Sequence, residues 1–125
     1  MIFLQSLFRS FFSFDGRLNR RQYWRRIAVL YIAIAPIVFV LAQEYLSLKN
    51  DGPNYDSGGV FNILLPYMVL WLVSAMAVAA RRLHDLGKNA YLVIMLLIPS
   101  VNILILILLG FLQGDEDANR FGTPS

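Results

Sequence analysis

The chain has 125 residues, of which 58% are hydrophobic and 15% charged, with a formal net charge of +3 at neutral pH. Soluble domains carry roughly 45–50% apolar and about 25% charged residues, so this composition points to an integral membrane protein. With no cysteine and a single histidine, disulfides, thiolate zinc sites and thiol nucleophiles are excluded, no cofactor is implied, and the length suits one domain over residues 1–125.

Residues 1–14 place Phe3, Leu4, Leu7, Phe8 and Phe11 at helical spacing, with Gln5, Ser6, Arg9, Ser10 and Ser13 opposite. This predicts an amphipathic helix suited either to the interfacial plane or to packing on the membrane helices. It lacks the basic start, long apolar run and small-residue cleavage site of a secretory signal. A basic juxtamembrane segment follows at 15–26: Gly16 permits a turn, and Asn19 is placed to cap a new helix. On that helix Arg17, Arg21 and Arg25 would recur at spacing four, as would Arg20 and Trp24, with Tyr23 and Trp24 set as an interfacial belt.

Three uncharged stretches, residues 27–43, 60–80 and 90–113, contain 17, 21 and 24 residues. About 20 apolar residues at 1.5 Å each cross a hydrocarbon core of about 30 Å, so the simplest expectation is an all-α membrane protein with about three transmembrane helices. The first span extends to residue 48 through Tyr45, Leu46 and Leu48. Residues 49–59 are rich in turn formers and should be irregular. Ala75 and Ala79 stand at the spacing that permits close helix approach. In the third stretch Pro99, beside Ser100 and Asn102, implies a kink or a re-entrant turn.

Lys and Arg number 6 in residues 1–26, 1 in 44–59, 3 in 81–89 and 1 in 114–125. For three crossings this alternation puts the N-terminus in the cytoplasm and the polar tail, 114–125, on the other side. The arginines border spans and form no free basic domain, so nucleic acid is not an expected partner. Membrane lipids, chiefly anionic ones, are, together with a protein partner or a second copy of the chain.

Candidate residues gather at the membrane edge: Arg17, Arg20, Arg21 and Trp24 before the first span; Arg81, Arg82, His84 and Asp85 after the second; Asn119 and Arg120 in the tail. The pair His84 and Asp85 invites a catalytic reading, yet no positioned nucleophile or further metal ligand accompanies it. A structural Asp85 that accepts hydrogen bonds from an arginine or from His84 is the preferred reading, and no catalytic or metal residue is assigned. Residues 27–43, 60–80 and 90–113 contain no ionisable acid, base or histidine, which weighs against a proton-coupled carrier or an ion pore. Ser74, Asn62 and Asn102 are expected to join helices.

Three motifs in order, Phe14-x-Gly16-Arg17-x-x-Arg20-x-x-Tyr23-Trp24, then Arg81-Arg82-Leu83-His84-Asp85, then Gly114 followed by Asn119-Arg120-Phe121-Gly122, carry a resemblance. In them the chain resembles, over essentially its whole length, the domain of unknown function 805 (YhaH-like) family of small bacterial inner-membrane proteins. The resemblance implies a cytoplasmic-membrane location and no particular activity. The family commonly has an aromatic pair soon after the His-Asp; here only Tyr91 stands there. If the three motifs form one constellation, the tail shares the face of Arg17, Arg82 and Asp85, against the three-span count.

Three roles follow. The first is a scaffold or accessory subunit that holds anionic lipid or a partner through the Arg/His-Asp surface. The second is an oligomeric transporter, channel or lipid-moving protein. The third is an enzyme on a membrane substrate using His84 and Asp85.

Overall fold

A computed structural model describes residues 1–52, 56 and 58–124, so part of the predicted irregular loop, residues 53–55 and 57, lies outside the described residues. The described residues are helical in order: α1 Ile2–Phe12, α2 Arg20–Asp51, α3 Gly58–Asp85, a 3-10 segment Ala90–Leu97, and α4 Pro99–Phe111.

Local chemistry sets most of these limits. Asn19 caps α2 reciprocally: its Oδ1 accepts from Gln22 N at 2.8 Å, and Gln22 Oε1 accepts from Asn19 N at 3.3 Å. Helix α2 therefore starts within the basic segment, ahead of the predicted span. Arg17, expected on the same helix as Arg21 and Arg25, instead lies before it, where the chain is not helical. At the other end of α3, Gly87 takes φ +67°, Lys88 N donates to Leu83 O at 2.8 Å and Gly87 N to His84 O at 3.1 Å. That is a Schellman stop, which glycine adopts without steric cost. Arg81 and Arg82, expected beyond the second span, thus belong to the closing turns of α3.

At 1.5 Å per residue, the 32 residues of α2 and the 28 of α3 extend about 48 and 42 Å, enough to cross a bilayer. Each contains a proline, Pro36 and Pro66. Near Pro36, Tyr67 Oη donates to Ala33 O at 2.7 Å and Trp71 Nε1 to Leu30 O at 2.7 Å, so two side-chain donors of α3 tie it to the backbone of α2.

The third uncharged stretch is two short elements. Ile98 sits at φ −90°, ψ 109°, the extended conformation that a following proline enforces, and Pro99 opens α4. Asn102 Nδ2 reaches back across the break to Leu96 O at 2.7 Å. The 8-residue 3-10 segment and 13-residue α4 extend about 16 and 20 Å, so neither crosses alone. Both ends of the stretch return to one place. The 3-10 segment begins five residues after Asp85, while beyond α4 Arg82 donates to Leu112 O and Asp115 N donates to Asp85 O at 2.7 Å. The stretch therefore turns at Pro99 and brings the tail against the end of α3.

Helix α3 contacts every other element. Ala77, Ala79 and Ala80 are fully buried, so the small-residue end of α3 is the surface on which the rest closes, as the Ala75/Ala79 spacing suggested. Tyr23, Ile27 and Leu30 of α2, Val93 and Leu96 of the 3-10 segment, and Leu106 and Leu109 of α4 complete this core. Farther along, the long helices expose Phe39, Ile63 and Leu65, an apolar surface that suits hydrocarbon.

Candidate functional site

The site assembles where five parts of the chain meet: the extended run before α2, the end of α3, the end of α4, the tail, and the end of α1. At its centre is the carboxylate of Asp85, 5% exposed. Its Oδ1 accepts from Arg17 Nε at 3.0 Å and its Oδ2 from Arg82 Nη1 at 2.5 Å. Each oxygen takes one guanidinium, so one negative charge is shared by two cations that are themselves 7% and 1% exposed. Buried charges of this kind persist when their remaining donors are met, and here they are met by backbone.

Arg82 donates to Leu109 O at 2.9 Å, to Leu18 O at 3.1 Å and to Leu112 O, binding the end of α4 to the start of α2. Arg17 donates to Asp115 O at 2.6 Å, Asp117 O at 2.9 Å and Gly122 O at 3.1 Å, and so holds the tail. Gly114 lies so close to Asp85 that a Cβ there would stand 2.0 Å from Oδ2. The tail closes on itself through Asn119 and Gly122, whose backbones exchange two hydrogen bonds of 3.0 Å, with Gly122 at φ +121°. Asn119 Nδ2 also donates to His84 O at 3.0 Å and to Asp115 Oδ2 at 2.8 Å.

His84 and Asp85 are neighbours in sequence but face different partners. A carbonyl only accepts, so in the 3.0 Å contact with Gly16 O the His84 Nδ1–H is the donor. The ring stacks on Phe121 with centroids 4.0 Å apart. Arg120 lies over the other residue of that stack, 4.7 Å from the Phe121 centroid, and donates to Asn89 Oδ1 at 3.1 Å.

Beside this centre, Arg81 donates to Ser10 O, Arg26 donates to the same oxygen at 2.8 Å, and Ser74 Oγ donates to Phe11 O at 3.1 Å. These donors satisfy carbonyls left open at the C-terminus of α1 and set positive charge at the negative end of its dipole. On the far side Tyr23 Oη donates to Leu106 O at 2.6 Å and Trp24 Nε1 to Gly110 O at 3.0 Å. A Cβ on Gly110 would stand 2.2 Å from the indole, so this glycine is a seat for Trp24.

Of the candidate residues, Arg17, Arg82, Asp85, His84, Asn119 and Arg120 come together, Arg81 holds α1, and Trp24 holds α4. Arg20 and Arg21 are exposed and make no hydrogen bond or ion pair among the described residues. Ser74 and Asn102 join elements as expected. Tyr91 is 78% exposed, so the start of the 3-10 segment has no aromatic anchor of its own. Gly110 and the carbonyls of Leu109 and Leu112 were missed: nothing about a glycine or leucine in an apolar run announces a hydrogen-bond acceptor. No group of three or more metal-ligating side chains forms among the described residues.

The family model described as "Protein of unknown function (DUF805)" matches residues 11–123. The chain is 30% identical over 114 residues to "Inner membrane protein YhaH" of Escherichia coli (strain K12), covering 91% of this chain and 88% of that one. It is 26% identical over 117 residues to "Inner membrane protein YhaI" of the same strain, covering 94% and 89%. No solved structure matches.

Proposed function

The chain belongs to the DUF805 family, and we propose that it is a two-crossing protein of the bacterial cytoplasmic membrane, a scaffold or accessory subunit that holds anionic lipid at an arginine-rich cytoplasmic face. The observation that carries the reading is the division of labour among the arginines. Arg17, Arg81 and Arg82 are buried and committed to carbonyls and Asp85, whereas Arg20 and Arg21 stand exposed beside them on the first turn of α2. A buried frame holds the exposed cations at the membrane edge, where each is worth about 1 kcal/mol toward an anionic surface.

Charge supports the orientation. With the tail folded back, ten of the eleven Lys and Arg residues lie at the end of the molecule that carries Asp85, and Lys49 alone at the other. The positive-inside rule puts such an end in the cytoplasm, with α2 and α3 as the two crossings. The transporter reading draws no support from Ser74 and Asn102, whose side chains are spent on Phe11 O and Leu96 O. Nor does the enzyme reading from His84 and Asp85, whose side chains turn to different partners.

The test is native mass spectrometry of the protein released from membranes, wild type against Arg20→Gln/Arg21→Gln. Retained anionic lipid should fall while the fold, read by circular dichroism, is kept. Unchanged lipid retention would sink the proposal, and loss of a co-purifying protein in place of lipid would redirect it to a partner.

A further inference from the structure

Helix α1 has no buried residue, although its C-terminus is held firmly by Arg26, Arg81 and Ser74. Between α1 and the two long helices an open cleft of about 390 Å³ remains, within the usual 300–1,000 Å³ of small-ligand sites. Its walls are apolar: Leu7, Phe8 and Phe11 from α1, Val29 and Ala33 from α2, Trp71 from α3. In a hydrocarbon solvent such a cleft gains nothing from water exclusion, so its occupant is decided by shape and by whatever polar groups stand at its mouth.

Those groups follow from helix periodicity. Arg21, Arg25, Val29 and Ala33 recur at spacing four, forming a row along α2 that rises about 6 Å and winds about 40° at each step. The lower two residues line the cleft, and the upper two are exposed arginines with no hydrogen bond or ion pair among the described residues. Arg26, next in sequence to Arg25, grips Ser10 O, so the end of α1 lies level with these cations. Positive charge one to two helical turns from an apolar slot is the complement of a molecule with an anionic head and a hydrocarbon tail.

We propose that this cleft holds one acyl chain of an anionic phospholipid, with the phosphate bound by Arg25 and Arg21. The proposal rests on the reading that the arginine edge holds anionic lipid, and it adds a defined seat for the tail. One lipid then fills the gap under α1 and becomes part of the packing between α1, α2 and α3.

The experiment uses the full chain in bilayers of phosphatidylcholine containing trace phosphatidylglycerol or phosphatidylcholine spin-labelled on the acyl chain, read by electron paramagnetic resonance. Wild type should show a motionally restricted population that favours phosphatidylglycerol. Arg25→Gln should cut that preference about fivefold, the equivalent of one membrane-edge arginine. Val29→Trp, at a half-exposed position on the cleft wall, should abolish the restricted population yet keep the anionic lipid counted by native mass spectrometry, and Ala33→Phe should do the same if Val29→Trp does not fold. A restricted population that survives both filling variants, or one with no preference for phosphatidylglycerol, overturns the cleft assignment and leaves the surface reading standing. If anionic lipid is retained equally by wild type, Arg25→Gln and Arg20→Gln/Arg21→Gln, both readings fall.

Discussion

Replacing Asp85 by Asn keeps the shape of the side chain and removes the charge that two buried guanidiniums share. In the native protein Oδ1 accepts from Arg17 at 3.0 Å and Oδ2 from Arg82 at 2.5 Å. The amide leaves one oxygen to accept and turns an N–H toward an arginine, so both cations lose their counter-charge and one also loses its side-chain acceptor while remaining buried. Breaking a buried pair from one side costs about 3–5 kcal/mol, against a total stability of about 5–15 kcal/mol for a typical domain. Arg17 and Arg82 keep their carbonyl acceptors, which holds the expected loss to that range. Trp24 supplies the readout, because its indole rests on Gly110 at the end of α4, whose last carbonyls Arg82 binds. Reversible unfolding in mixed micelles, followed by tryptophan fluorescence, should show Asp85→Asn destabilised by about 3–5 kcal/mol, while Asp117→Asn, at an exposed tail position, should stay within about 0.5 kcal/mol of wild type. If the two variants unfold alike, Asp85 is not the electrostatic centre of the fold.

Three further outcomes follow from the same geometry. Gly110→Ala places a Cβ 2.2 Å from the Trp24 ring and should cost about 1–3 kcal/mol with a shift in tryptophan emission; an unchanged spectrum and midpoint would contradict the packing. Because the chain has no native cysteine, Thr123→Cys and Asp56→Cys can be compared in intact cells with an impermeant thiol reagent. Asp56→Cys should label at once and Thr123→Cys only after lysis, and labelling of both from outside would refute the folded-back tail. Arg26→Gln combined with Ser74→Ala removes two donors from the end of α1 and should raise the rate of tryptic cleavage at Arg9 about tenfold, since a hydrogen bond to a charged group is worth about 1.5–3 kcal/mol. Equal rates would mean that α1 is held elsewhere.

Much of the frame is legible along the chain. The Asn19 cap and the break at Pro99 are local chemistry, readable from a residue and its near neighbours. The alanine end of α3 is a spacing, and it became the most deeply buried surface of the protein. The basic clusters are also visible as clusters, but their roles are not. Arg17 and Arg82 meet mainly backbone oxygens, of Leu18, Leu109, Leu112, Asp115, Asp117 and Gly122, and a carbonyl has no residue type by which a sequence could mark it. Arg20 and Arg21, identical in kind to the buried arginines, are left outside by the turn of α2 on which they sit.

By itself the sequence determined the membrane character, the helical content, the start of α2 at Asn19 and the break at Pro99, because hydrophobicity, capping and proline geometry act over one to about twenty residues. Only the tertiary structure decided how the third apolar stretch turns, what the tail packs against, and which arginines are buried. Those outcomes depend on contacts between residues up to 105 positions apart, as between Arg17 and Gly122, where the stability of a charge is set by what the fold brings to it.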